Sequence, residues 1–337
     1  MAAVKAAVLR GPKDLRIEES PASAPGSDEV TVRVTIAGLC GTDYRIWSGD
    51  RPVRYPRIMG HEFVGVVEAV GPGVERVRPG DRVSVEPNYS CGVCPLCREG
   101  NRNLCLSRTA VGIDVDGCFA QAVTVPSRCC WPVPHGATDE RFLLTEPLAV
   151  VVRAADRGAP RAGEAAAVVG VGTLGLLALQ VLRARGARVL ALGRTTKRFE
   201  LAESLGAEST QVIADADLGA VARQFSGREG VDLVIETAGT AEAVLHALDV
   251  VRPGGRVVLT GLPHEPTSVR FFNVVRREVT ILGSMIYQDE FPEAMRLLAE
   301  GHVRTQPLVT HRFALDAIDQ AFAAHREPAS IKVAVVP

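Results

Sequence analysis

The chain has 337 residues, 47% hydrophobic and 23% charged, which is enough for two ordinary domains with real cores. A formal net charge of −1, with both signs scattered through both halves, excludes the electrostatic footprint of a nucleic-acid or anionic-membrane protein and leaves small molecules as the expected partners. The opening MAAVKAAVLRGPKDL has no continuous apolar stretch of the export type, so a cytoplasmic setting is expected.

The first 150 residues are short β-rich runs punctuated by Gly and Pro: VTVRVTIAG, FVGVVEAVGPGV, DRVSVEP and FAQAVTVP predict an all-β unit. Inside it, CGVCPLCREGNRNLC packs Cys91, Cys94, Cys97 and Cys105 into fifteen residues. In a reducing compartment such clustering argues for metal over disulfides. A ferredoxin-type iron–sulfur motif would continue C-x3-C-P, whereas seven residues separate Cys97 from Cys105 and Leu106 follows. Four thiolates on a loop reversed at Gly92, Pro95 and Gly100 suit a closed structural zinc site, with no position left for substrate.

Near Pro147 the texture changes to apolar strand alternating with amphipathic helix: AAAVVGVG, TLGLLALQVLRARG, ARVLALG, TTKRFELAESLGA, VDLVIETAG, AEAVLHALDVVRPGG and RVVLTGL. That alternation predicts βαβ units and a parallel sheet. The run from Ala165 to Leu182 is long enough to raise a membrane span, but three glycines, Thr173 and Gln180 dilute it. Two further helical patterns, DEFPEAMRLLAEG and LDAIDQAFAAHRE, and a last strand, SIKVAVVP, are expected to return to the first domain.

Gly170-Val171-Gly172-Thr173-Leu174-Gly175 stands after a strand and before a helix, the context in which G-x-G-x-x-G binds a dinucleotide. Its glycines let the backbone approach a pyrophosphate, whose charge then lies at a helix N-terminus. Hydride transfer in turn requires a group that activates a substrate, and the first domain holds a second set of metal-type side chains: Cys40, His61, Glu62 and Glu146. Each alone is unremarkable. Together, thiolate, imidazole and carboxylate suit a catalytic zinc with one open position.

With CGTD at 40 to 43, GHE at 60 to 62, the cysteine loop, EPLAV at 146 to 150 and GVGTLG at 170 to 175, nearly the whole chain resembles the zinc-dependent medium-chain dehydrogenase/reductase superfamily, in its polyol and sorbitol dehydrogenase-like branch. The resemblance implies an α/β chain in which a β-rich GroES-like catalytic domain (1–153 and a return segment, 289–337) flanks a Rossmann doubly wound domain (154–288). It also implies two zinc ions per chain and a homodimer or homotetramer. By position, Cys40, His61 and a glutamate hold the catalytic zinc, Glu62 in some states and Glu146 directly or through water. Thr42 resembles the family's relay hydroxyl, and Asp43 is placed to orient His61. Many relatives carry a histidine where this chain has Arg45.

NAD-binding members usually place an acid after the second strand of the sheet, for the ribose hydroxyls. This chain has Gly193-Arg194, followed by Lys197 and Arg198, so NADP is favoured over NAD: Arg194 can clamp a 2′-phosphate. The expected activity is NAD(P)-linked oxidation of a secondary alcohol of the polyol, sugar or cyclitol kind. The alternatives are a threonine 3-dehydrogenase-like enzyme, although EPLAVVVRAADR lacks the Gly-Asn pair of those relatives, a zinc-free quinone-reductase-like NADPH binder, and a ferredoxin-like electron carrier. Trp47, Tyr55, Phe119 and Met285 are candidate pocket side chains. Cys118, Cys129 and Cys130, and the histidines 135, 246, 264, 302, 311 and 325, stand in no cluster.

Overall fold

The structure, a computed structural model, describes residues 3–21, 24–263 and 265–337; His264 lies outside them. The chain forms two units, Met1–Glu146 with Thr305–Pro337, and Pro147–Arg304.

In the first unit, alternating apolar residues bury one face of Glu29–Leu39 through Val30, Val32 and Val34. This strand is central to a seven-stranded sheet. Glu62–Val70, Arg82–Val85 and Cys130–Pro132 continue the sheet on one side, Lys332–Val336 and Val309–Ala314 on the other, and Ala122–Pro126 also pairs with the central strand. A three-stranded sheet joins Asp14–Pro21, Ala3–Gly11 and Arg57–Ile58. The Ala-rich start carries little β propensity, and its strand forms because Ala6 to Leu9 are buried in the core. Phe63, Phe119 and Phe322 fill that core, with Trp47 and Tyr55 packed against it. Phe119 is 0% exposed and belongs to the core, whereas Trp47 and Tyr55 are partly buried against it.

The second unit is a six-stranded parallel sheet in the order Ser209–Val212, Arg188–Gly193, Ala165–Val169, Val231–Glu236, Val251–Leu259, Thr280–Gly283. Numbered along the chain this is 3-2-1-4-5-6, the doubly wound order whose reversal point lies beside Ala165–Val169. Every residue of Ala165–Val169 and of Val231–Glu236 is buried, as expected for strands covered on both faces. The apolar run that raised a membrane span is the strand Ala165–Val169, a turn, and the helix Thr173–Ala184; no helix among the described residues is long and apolar enough to cross a membrane.

The unit boundaries differ from those of the sequence reading. The first unit ends at Glu146 rather than 153, and the return begins at Thr305 rather than 289. The helix Phe291–Ala299 stays with the parallel sheet because it buries Phe291, Ala294, Leu297 and Leu298. Glu290 at its start accepts a hydrogen bond from Arg153 Nη1 (2.9 Å), and Gln180 clasps the Arg304 backbone, donating from Nε2 and accepting at Oε1.

Candidate active site

Cys40 follows the central strand directly and is the N-cap of the helix Gly41–Ser48, which carries Thr42, Asp43 and Arg45. Opposite, Glu62 pairs with Gly38, two residues before Cys40, so the Glu62 and Cys40 side chains share a face. Gly38 makes this possible: a Cβ there would stand 2.5 Å from Glu62 Oε2. Gly60 delivers His61 from a left-handed backbone (φ +91°), where a side chain would also press Cys118 Sγ at 2.8 Å. The last strand adds Lys332, one residue before Val333, which pairs with Leu39.

These constraints bring ligand atoms of Cys40, His61 and Glu62 within 4.8 Å of one another, with His61 and Glu62 buried. Asp43, fully buried, braces the group: Oδ2 accepts from Cys40 N (2.9 Å), Oδ1 accepts from Gly60 N (3.2 Å), and Oδ1 lies 3.3 Å from His61 Nδ1. Burial by itself pushes the Asp43 carboxyl up, but His61 and the backbone donors outweigh it and hold the group below its ordinary value. Burial likewise pulls the His61 ring down, and Asp43 and Cys40 more than reverse this. With Nδ1 facing Asp43, Nε2 is the nitrogen left for a metal.

Glu146 is buried at the start of the helix Thr145–Gly158, outside the mutually close trio. Burial and the neighbouring Glu62 push its carboxyl up to about 7, while His61 and Lys332 pull it down. Lys332 Nζ donates to Glu62 Oε2 at 2.5 Å, and although burial lowers its pKa, Glu62 and Cys40 hold it above the ordinary value. Cys40, His61 and Glu62 thus offer sulfur, nitrogen and oxygen at close range, and a divalent cation borderline-soft enough for all three would be held there, so the donor set fits zinc. Thr42 is half-buried in the first turn, and Arg45 follows it by one turn. His325 stacks on Tyr44 with centroids 6.0 Å apart, and burial and then Lys332 lower its imidazole to about 4, so it is neutral at pH 7.

In the cysteine loop the Sγ atoms of Cys91, Cys94, Cys97 and Cys105 all lie within 4.8 Å of one another. Cys105 Sγ is 3.5 Å from Cys91 Sγ and 3.9 Å from Cys94 Sγ, against about 3.8 Å for the edge of a zinc–thiolate tetrahedron. Backbone N–H groups point at the sulfurs: Cys91 N donates to Cys105 Sγ (3.3 Å) and Cys94 N to Cys91 Sγ (3.4 Å). Donors from Leu106 and Cys97 bring the Cys94 thiol down to about 6, whereas burial and its thiol neighbours push Cys97 up to about 11. All eight cysteines are free thiols, and Cys118, Cys129 and Cys130 are buried.

In the second unit, Gly170 turns the chain at φ +100°, Gly172 caps the helix that Thr173, Leu174 and Gly175 begin, and Thr237 Oγ1 lies 3.1 Å from the carbonyls of Val169 and Gly170. Arg198 Nη1 donates to Val171 O (2.9 Å), which sets its guanidinium against the turn. Burial and then the like charge of Arg194 lower the Arg198 pKa. Gly193 ends its strand and Arg194 is exposed. Glu236, at the end of its strand, accepts from Ala238 N and Gly239 N at 2.7 Å each and pins the neighbouring loop.

Sequence reasoning missed Lys332 and Glu236. A lysine heading the otherwise apolar KVAVV was a usable signal, since lysine is almost never fully buried without a partner. Glu236 gave none, because its partners are backbone groups.

Residues 26–135 match the alcohol dehydrogenase GroES-like domain and residues 173–300 match the zinc-binding dehydrogenase family. The chain is 33% identical to sorbitol dehydrogenase of Bacillus subtilis, covering 99% of this chain and 97% of that one. Among solved structures, a zinc-binding dehydrogenase of Sinorhizobium meliloti bound to NADP superposes with a TM-score of 0.96 at 33% identity, covering 100% of both chains. The alcohol dehydrogenase rspB of E. coli, complexed with NADH, gives 0.94 at 30% identity, again over 100% of both. The chain therefore belongs to the zinc-dependent medium-chain alcohol dehydrogenase superfamily, with a GroES-like domain and a parallel-sheet dinucleotide domain.

Proposed function

We propose that this protein oxidises a secondary alcohol of the polyol, sugar or cyclitol kind to a ketone, or catalyses the reverse reduction, with a nicotinamide dinucleotide as hydride carrier. The observation that carries the reading is the trio of half-buried Cys40 and buried His61 and Glu62 within 4.8 Å, braced by Asp43, in a chain that also holds a dinucleotide turn. Cys40, His61 and Glu62 would hold the catalytic zinc, with Glu146 as the alternative carboxylate, and Cys91, Cys94, Cys97 and Cys105 a structural one. Zinc at the first site supplies Lewis acidity to the alcohol oxygen.

The chain's own residues do the rest. Asp43 fixes the imidazole of His61 so that Nε2 faces the metal site. Thr42 takes the alcohol proton at its hydroxyl and passes it outward, and Arg45, which cannot act as a base at neutral pH, makes water the next acceptor. Lys332 holds Glu62 through one oxygen and so regulates how freely that carboxylate reaches the metal. Gly170, Gly172, Thr173, Leu174 and Gly175 would seat the pyrophosphate.

NADP is favoured over NAD, because Gly193 offers no acid to the ribose and Arg194 and Arg198 supply positive charge beside it. We also infer a homo-oligomer. Phe271, Phe272 and Val275 are 64%, 66% and 74% exposed on the helix Phe271–Arg276, and the strand Thr280–Gly283 leaves a sheet edge open with Ile281 exposed. Four cysteines clustered as a metal site rather than spread as a disulfide framework favour a reducing, cytoplasmic setting.

The test is a panel of polyols, sugars, cyclitols and simple secondary alcohols assayed with NADP and with NAD, alongside zinc analysis of the wild type and of His61→Ala. We expect turnover of a member of the first three classes, two zinc ions per chain, and, in the variant, about one zinc, no turnover and retained dinucleotide binding. Full activity after removal of the catalytic metal would refute the mechanism.

A further inference from the structure

Gly193 closes the strand Arg188–Gly193 beside the glycine turn, and the space around it is already taken. A Cβ built on Gly193 would stand 2.8 Å from Phe199 Cε1, 3.4 Å from Phe199 Cζ and 3.1 Å from Val171 Cγ2. Phe199 is the first residue of the helix Phe199–Ser204 and is 9% exposed, so its ring is a rigid, packed wall rather than the loose end of a flexible side chain. Directly before it, Arg198 is anchored to the Val171 carbonyl (2.9 Å), which ties this helix start to the turn.

We propose that Phe199 is a specificity-determining residue for the dinucleotide: its ring fills the space that any side chain at position 193 needs, and so denies the chain the strand-end carboxylate that would receive an unphosphorylated ribose. Selectivity is thereby built in two layers. Arg194 and Arg198 attract a phosphate, and the Phe199 ring keeps out the acid that would repel it. Charge at 194 can change by a single substitution, but an acid at 193 requires the wall to move first. The inference rests on the NADP reading above.

The test compares wild type, Gly193→Asp, Phe199→Leu and the double variant as zinc-loaded proteins, measuring Kd for NADP and for NAD by titration and Tm by thermal unfolding. Leucine lacks the ring atom equivalent to Cε1, the one contact under 3 Å, while Val171 Cγ2 at 3.1 Å is the same in all four proteins. Gly193→Asp alone is expected to lower Tm by roughly 3 to 10 °C and to gain little affinity for NAD. Adding Phe199→Leu is expected to restore most of that Tm and to tighten NAD binding at least about tenfold relative to Gly193→Asp, a coupling the single variants do not predict. If Gly193→Asp fails to fold, Gly193→Ala, which adds only the Cβ, is carried through the same cycle, and its coupling to Phe199→Leu in Tm decides. Additive behaviour, or a Gly193→Asp protein with wild-type Tm and the full gain in NAD affinity, overturns the proposal. A wild type that binds NAD more tightly than NADP overturns instead the reading on which it rests, and the two failures are read from different proteins.

Discussion

Lys332 and Glu62 form a buried ion pair, 2.5 Å from Nζ to Oε2, between residues 270 positions apart, with side chains 4% and 1% exposed. The pair joins the last strand to the GHE turn, and one of its members is also a candidate metal ligand. Replacing Lys332 by Met leaves a buried carboxylate without its cation. We expect a loss of about 3 to 5 kcal/mol in denaturant unfolding, much smaller for Lys332→Arg and partly recovered by adding Glu62→Gln. An unchanged midpoint for Lys332→Met would show that the metal alone compensates Glu62.

Cys91→Ser is expected to release the loop metal and to cost several kcal/mol of stability, because a closed four-thiolate site contributes folding free energy directly. The chemical step should change less than the thermal midpoint. Zinc analysis together with calorimetry checks this, and retention of both zinc and Tm would refute a structural site.

Arg194→Ala should weaken NADP binding roughly ten- to hundredfold, the worth of one or two charge-assisted hydrogen bonds, while leaving NAD nearly unaffected. Arg198, held at the Val171 carbonyl, still attracts the phosphate and keeps the loss toward the lower figure. Equal losses for the two dinucleotides would mean that Arg194 does not distinguish them.

Asp232 links pH to stability in the dinucleotide unit. Its Oδ1 accepts from Arg252 Nε at 2.7 Å and its Oδ2 from Ala165 N at 2.9 Å. Burial pushes this carboxyl up, but Arg252 and the backbone donor outweigh it and hold it below its ordinary value. The folded state then binds fewer protons than the unfolded state between the two pKa values, so this contribution is present at neutral pH and is lost as pH falls below about 4. Asp232→Asn should therefore be less stable by about 1 to 3 kcal/mol at pH 7 and should show a shallower acid decline than wild type, measured by unfolding across that range.

Local pattern carried far in this chain. The spacing of Cys91, Cys94, Cys97 and Cys105 lies within one loop, and the glycine turn lies between one strand and the next helix, so both could be read without knowing the fold. The alternation of strand and helix from Ala165 onward made the parallel sheet legible, because period and propensity are properties of short segments. Cys40, Asp43 and His61 were legible as residue types and by family position, although nothing in their own neighbourhoods set the distances among them.

What only tertiary structure decided is what depends on chain segments remote in sequence. The sequence by itself determined the metal-type side chains and the turn that can take a pyrophosphate. It did not determine that Lys332 would reach Glu62, since that follows from Val333 pairing with Leu39 across the sheet, a register that no local pattern encodes. Nor did it determine that a Cβ at Gly193 would stand 2.8 Å from the Phe199 ring. That constraint comes from a ring six positions on, brought back by a helix start, because packing acts through volume and volume is shared only once the chain has folded.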